Sequence, residues 1–236
     1  MPGDGRQRVL IAENIYKSYK KPVLDGVSIS LRAGEIVGVA GVNGCGKSTL
    51  LSILTSVVRP DRGAVTLMGK DIFREPEVLR KYVGYAPQKN GLFENLSAKD
   101  NLLFWAAAYK VKPRLNLFDK QFLSKKTGRL SEGMKKRLSI AIAMQNDPLF
   151  LIMDEPTAAL DIGFKREFLE DMKRVKGDGR TALFSSHQPD ELAACDRLFI
   201  MSGGRFAFEG PPEALAEREK KEFGKALLDV ISEGSI

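Results

Sequence analysis

The segment Gly41-Val42-Asn43-Gly44-Cys45-Gly46-Lys47-Ser48 constrains this chain more than any other. It fits G-x-x-x-x-G-K-[ST], a spacing that carries its own chemistry. The glycines let the backbone wrap so that several N–H groups point inward at phosphate oxygens. Before it, Ile36-Val37-Gly38-Val39-Ala40 reads as a buried strand; after it, Ser48 to Val58 has helical length and composition. Strand, turn and helix in that order aim the positive end of a helix dipole into the turn. Gly41, Val42, Asn43, Gly44, Cys45, Gly46, Lys47, Ser48 and Thr49 are therefore the expected cradle for a nucleotide's phosphates. Lys47 supplies a point charge for the β- and γ-phosphates, and the Ser48 hydroxyl is a hard oxygen ligand suited to Mg2+. Cys45 sits beside Lys47 and the helix N-terminus, both of which are expected to lower its thiol pKa and raise its reactivity.

Strand–helix alternation continues along the chain. Val65 to Met68, Val83 to Ala86, Leu149 to Met153, Ala182 to Phe184 and Leu198 to Met201 read as strands, with helices near 162–176 and 189–195. That rhythm implies an α/β fold with a mostly parallel sheet and helices on its faces. It breaks between about Ser97 and Asn146, where no strand pattern occurs. There Ser97-Ala98-Lys99-Asp100 opens a helix with capping-box spacing, Asp100 to Lys110 continues it, and Ser131 to Met144 forms a second helix. The expected organisation is one domain over 1–236. Its core covers about 1–90 and 147–211, an inserted all-helical subdomain about 91–146, and a charged helical surface extension about 212–236.

The strongest strand, Leu149 to Met153, ends at Asp154-Glu155. Asp154 is placed to hold Mg2+ through water, and Glu155, one residue further, to act as the base that polarises an attacking water.

The 236 residues are 43% hydrophobic and 28% charged, enough apolar content for a packed core. No stretch reaches the ~18 apolar residues of a membrane span. Met1-Pro2-Gly3-Asp4-Gly5-Arg6 has no apolar segment behind its charges, so no signal peptide is expected. Two cysteines, Cys45 and Cys195, make no disulfide framework and suit a reducing, cytoplasmic compartment. The net charge of +7 is local: residues 110–137 hold ten basic and two acidic residues, so the remainder is close to neutral. This basicity belongs to one surface, and no nucleic-acid partner is expected from it.

Leu130-Ser131-Glu132-Gly133-Met134 narrows the reading. Nineteen residues separate it from Asp154-Glu155-Pro156-Thr157, and it resembles the signature motif of ATP-binding cassette (ABC) ATPases. The resemblance covers nearly the whole chain. Tyr19 resembles the aromatic that stacks on adenine, and Gln88, in Tyr85-Ala86-Pro87-Gln88, the glutamine joining the Mg2+ site to the helical subdomain. Ala159-Leu160-Asp161 resembles the D-loop, and His187, in Phe184-Ser185-Ser186-His187, the histidine that contacts the γ-phosphate. Glu132 and Met134 depart from the commonest signature, Leu-Ser-Gly-Gly-Gln, and Glu132 puts a negative charge where phosphate is expected.

The resemblance implies a RecA-like P-loop NTPase with an N-terminal antiparallel β portion and an inserted helical subdomain. It implies a nucleotide-binding subunit of an ABC transporter that binds and hydrolyses ATP with Mg2+. Lys47, Gln88, Glu155 and His187 would be catalytic, and Ser48, Gln88 and Asp154 would hold the metal. Tyr19, residues 41–49, Ser131, Gly133 and Asp161 would contact nucleotide. With one phosphate turn and one signature, the chain would need a second ATPase subunit, either a copy or a close paralogue, to complete two composite sites. The pathway would be a separate integral membrane permease, with this chain cytoplasmic and peripheral on the inner face of the cell membrane. The Gly133-Met134-Lys135-Lys136-Arg137-Leu138 run resembles cassettes serving export-type permeases. An alternative is a soluble ABC ATPase acting on nucleic acid or ribosomes. The 42 residues between Gln88 and Ser131 are too few for the coiled coil of DNA-repair members. A small-molecule P-loop kinase leaves the signature, Gln88 and His187 unexplained.

Overall fold

The computed structural model describes residues 7–158 and 160–233. Residues 1–6, Ala159 of the Ala159-Leu160-Asp161 motif and residues 234–236 lie outside them. Two long antiparallel strands open the chain, β1 (Arg8–Ser18) and β2 (Pro22–Arg32). β2 alternates over Val27-Ser28-Ile29-Ser30-Leu31, with Val27, Ile29 and Leu31 buried, whereas irregularities break β1 around Asn14, whose φ is +51°.

β3 (Ile36–Gly41), buried at every position, runs through the glycine turn into α1 (Lys47–Leu54). The helix stops four residues short of the expected Val58. Thr55 Oγ1 donates to Leu51 O at 2.9 Å, and Ser56 takes a left-handed φ of +54°. Hydroxyl back-bonding and the β-branched pair Val57-Val58 both favour that stop. β4 (Arg62–Leu67) and β5 (Lys70–Asp71) form a hairpin. Met68, expected to close a strand, is instead the first residue of its turn: Met68 and Gly69 have φ of +51° and +77°, the pattern of a type I′ turn.

α2 (Glu77–Tyr82) leads into β6 (Val83–Ala86). The next segment holds α3 (Ala98–Tyr109), α4 (Lys120–Ser124), a 3-10 turn at Thr127–Arg129 and α5 (Glu132–Ala143), and no strand. Ser97 caps α3 as its spacing predicts, accepting from Asp100 N at 3.0 Å. The fold then returns to alternation with β7 (Phe150–Met153), α6 (Ile162–Gly177), β8 (Thr181–Ser185), α7 (Pro189–Ala193) and β9 (Arg197–Ser202). β10 (Arg205–Gly210), α8 (Pro212–Glu219) and α9 (Phe223–Glu233) close the chain.

The strands form two sheets. One is antiparallel, in the order β2-β1-β4-β5; the other runs β10-β9-β3-β8-β7-β6 and is parallel except where β10 meets β9. α1 lies between them. Its Leu50, Leu51, Ile53 and Leu54 share one core with Leu10, Ile15 and Leu67 of the first sheet and Val37, Val39 and Leu183 of the second. Phe168, Met172 and Val175 of α6 pack with Ile36, Leu151 and Phe184 on the other side. Helices therefore cover both faces of the parallel sheet, as a parallel sheet requires. The C-terminal helices are more than a surface addition: Leu215, Ala226, Leu227 and Val230 are buried in a core with Leu198 and Ile200. Among the described residues no helix is long and apolar enough to cross a membrane.

The edge strand β6 is pressed against the end of α5 at Gly84, where a Cβ would overlap the Ala143 carbonyl and come 3.0 Å from Pro148 Cγ. Gly84→Ala should therefore destabilise the chain by about 1–3 kcal/mol. In urea unfolding this should appear as a lower midpoint with an unchanged slope.

Candidate functional site

The phosphate turn is shaped by contacts that exclude side chains. A Cβ at Gly41 would overlap the Met201 carbonyl on β9. One at Gly46, whose φ is +114°, would come 2.8 Å from Leu24 Cδ2 and 2.9 Å from Val23 O on β2. α1 begins directly after Gly46 with no side-chain cap, so its first N–H groups face the turn. Lys47 is 5% exposed, and its Nζ donates to Gly41 O at 2.8 Å and Val42 O at 3.1 Å. A buried ammonium held by carbonyls alone, beside an uncapped helix N-terminus, fits a polyphosphate anion. Ser48 is exposed on the first turn of α1, with Thr49 half-buried behind it.

Cys45 departs from its expected chemistry. It is buried, and burial pushes its thiol pKa up against the smaller downward pull of Lys47. Desolvation of the thiolate outweighs the nearby cation. Cys195 is likewise buried, with its thiol pushed up by burial and by Asp196 and Glu191.

The acidic pair stands at the end of β7, separated from the end of β3 by β8, so about 10 Å of sheet lies between them. Ser185, the last residue of β8, ties the pair down. Its Oγ donates to Asp154 Oδ1 at 2.6 Å and accepts from Glu155 N at 2.9 Å. Glu155 holds a left-handed φ of +47°, an uncommon backbone for a non-glycine residue and one that collects at functional sites. Its carboxylate is engaged at both oxygens. Gln88 Nε2 donates to Oε2 at 3.1 Å, and His187 Nε2 lies 3.0 Å from Oε1, a bond that requires the proton on Nε2. Gln88, Glu155 and His187 thus meet around one carboxylate, although they stand far apart in sequence.

Three polar residues with no role in the sequence reading support this centre. Glu191 is 1% exposed and accepts from Thr157 Oγ1 and Ser186 Oγ, both at 2.6 Å, so it joins the segment after Glu155 to the one before His187. Ser185 is the second. Lys136 of α5 is the third: it is 5% exposed, and burial pushes its pKa down to about 8 against the pull of Asp154 and Glu155. A hydroxyl or carboxylate beside a buried strand end is the signal that could have marked Ser185 and Glu191. Nothing in a lysine-rich run distinguishes Lys136 from its neighbours.

The remaining residues lie apart. Tyr19 is 61% exposed in the turn between β1 and β2, with Lys17 Nζ 5.5 Å above its ring. β2 then packs Val23 and Leu24 onto Gly46. Ser131 caps α5, accepting from Met134 N at 3.3 Å, and Asp161 caps α6, accepting from Phe164 N at 2.9 Å. Ser131, Gly133, Leu160 and Asp161 line one cavity of about 420 Å³, and no residue of 41–49 lines it. The signature and the phosphate turn of one chain do not share this cavity. Glu132 is drawn along its helix by Lys135 at 3.0 Å.

The basic window divides in the same way. Lys135, Arg114 and Arg137 pair with Glu132 and Glu94, Asp147 and Glu167, and Lys136 is buried. Lys125 and Lys126 adjoin the start of α3, whereas Lys110 caps its end. The 12-residue helix puts these groups about 18 Å apart.

The ABC transporter family model matches residues 24–158. The ABC transporter ATP-binding protein NatA of Bacillus subtilis is 33% identical, over 87% of this chain and 88% of that protein. The Nod factor export ATP-binding protein I of Burkholderia lata is 36% identical, over 87% of this chain and 72% of that protein. A solved ATP-binding subunit of an ABC transporter superposes with a TM-score of 0.83 at 26% identity, covering 94% of this chain and 99% of the other.

Burial sets the reactivity of the turn's thiol. At pH 7 a maleimide should label Cys45 in the folded chain at least about tenfold more slowly than in the urea-unfolded chain. Equal rates would contradict the shielded geometry.

Proposed function

The chain belongs to the ABC transporter family as an ATP-binding ATPase subunit, and from that premise we propose how its residues divide the work. Lys47 and the N–H groups of residues 41–49 bind the β- and γ-phosphates, and Tyr19 stacks on the adenine. Ser48, Gln88 and Asp154 hold Mg2+. Among the described residues no cluster of three or more His, Cys, Asp or Glu could hold a metal; Mg2+ suits a hydroxyl, one carboxylate, water and substrate phosphates. When bound, it neutralises charge on the phosphate oxygens. Glu155 takes the proton of the attacking water, and Gln88 and His187 orient its carboxylate and meet the γ-phosphate. The single observation that carries this reading is the convergence of Gln88 and His187 on Glu155, 3.1 and 3.0 Å from its two oxygens.

Ser131, Gly133 and Asp161 face a cavity that the phosphate turn of the same chain does not line. They therefore serve the nucleotide of a second subunit, a copy or close paralogue placed head to tail. ATP closes the pair and phosphate release opens it. The RecA-like core about 1–90 and 147–211 and the helical subdomain about 91–146 are the two parts that shift between these states.

The transport pathway is a separate membrane permease, with the chain on the cytoplasmic face of the membrane. A cleft of about 630 Å³, lined by Thr55, Val57, Tyr85, Asn90, Trp105 and Tyr109, lies between α1, β6 and α3. Two of its buried polar atoms, the acceptor Asn90 Oδ1 and the donor Trp105 Nε1, have no partner. A permease segment supplying one donor and one acceptor would satisfy both. The Nod factor export name borne by one relative favours export. Transporter subunits among the relatives favour transport over action on nucleic acid or ribosomes.

Glu155→Gln should keep ATP binding and lower hydrolysis by about 10²-fold or more. Unchanged turnover in a phosphate-release assay would remove Glu155 from its role. The divided basic window gives a second outcome. Lys110→Glu with Lys112→Glu, on the cleft side of α3, should weaken pull-down on permease-containing membranes, most clearly at low salt. Lys125→Glu with Lys126→Glu, at the other end, should do so less, and neither pair should change nucleotide affinity.

A further inference from the structure

Lys136 occupies the second turn of α5, the helix whose first residues follow Ser131. Its side chain runs inward to a point where three segments meet. Nζ donates to Pro87 O at 3.1 Å, to Gln88 O at 3.4 Å and to Asp154 O at 3.1 Å. An ammonium has three donors and no acceptor, so these carbonyls use its whole capacity. Among the described residues no carboxylate is ion-paired with Nζ, unlike the neighbouring Lys135, which pairs with Glu94 and Glu132. A buried cation held by backbone carbonyls alone is costly to desolvate, and removing it would take the donor from all three of them.

The three carbonyls belong to the two segments that carry Gln88 and Glu155. Asp154 O is part of the peptide leading into Glu155, whose side chain in turn receives Gln88. A displacement of α5 therefore pulls on both partners of the Gln88–Glu155 hydrogen bond at once. We propose that Lys136 is a positioning residue for hydrolysis, fixing the backbone around Gln88 and Glu155 to the helix that bears Ser131 and Gly133. Through it, the position of the signature reaches the carboxylate in the same chain. This rests on the assignment of Gln88 and Glu155 to hydrolysis.

The test compares Lys136→Met, of similar length and without donors, with Lys136→Gln, which keeps two donors, in the full chain. Turnover, KM for Mg-ATP, equilibrium ATP affinity and thermal midpoint are measured for each. Lys136→Met should lower kcat by about tenfold or more, leave ATP affinity within about twofold, and lower the thermal midpoint by about 2–8 °C, because three carbonyls lose their donor. Lys136→Gln should recover at least about half of kcat, its amide replacing two of the three bonds. Two results overturn the proposal: full turnover in Lys136→Met, or an equal loss of turnover and of thermal midpoint in both variants. Glu155→Gln measured alongside separates the two levels. Slow Glu155→Gln beside fast Lys136→Met removes Lys136 alone, whereas fast turnover in both removes the assignment of the site.

Discussion

Parallel pairing of β3, β8 and β7 is the constraint from which the site follows. It puts the carboxyl ends of three buried strands at one edge of the sheet. One end becomes the phosphate turn, one carries Ser185-Ser186-His187, and one carries Asp154-Glu155. Open α/β sheets bind ligands at that edge because the strand ends leave N–H groups and side chains unpaired there. The middle strand spaces the outer two and, through Ser185, fixes the acidic pair. The chemistry needs a gap between phosphate turn and carboxylates, and β8 is its width.

Around that edge the buried polar groups, Glu191 and Lys136, are satisfied within the protein, whereas Gln88 and His187 meet Glu155 at an exposed surface. Glu191 collects two hydroxyls, Lys136 three carbonyls, and Glu155 an amide and an imidazole. Such networks hold geometry well because each lost bond leaves a desolvated partner behind. By contrast, the signature side of the chain is open: Ser131 and Asp161 spend their oxygens on helix caps and border a cavity. One side of the molecule holds a buried polar network, and the other presents an open cavity.

The sequence displays the parts that repeat a local rule and hides those that depend on distant partners. The phosphate turn, the strand ending at Asp154 and the Ser97 cap are legible because residue type and spacing alone determine them. β1 is not, since a bulge at Asn14 disturbs its alternation. The end of α1 is misplaced because Thr55 bonds back to Leu51. Cys45 is read as activated because its neighbours in sequence are visible, whereas the burial that dominates its thiol comes from the folded turn. Residues 110–137 look like a single basic surface only while they are written in a line. The fold pairs some, buries one, and sends the others to opposite ends of α3.

Lys47 has partners within its own loop, the carbonyls of Gly41 and Val42. Nucleotide arrival is therefore an exchange of partners, in which the ammonium leaves two oxygens of its own loop for those of a phosphate. The measured affinity reports the difference between those two states, which is smaller than the strength of the phosphate contact itself. A phosphate in this turn therefore competes for the ammonium with the loop's own backbone.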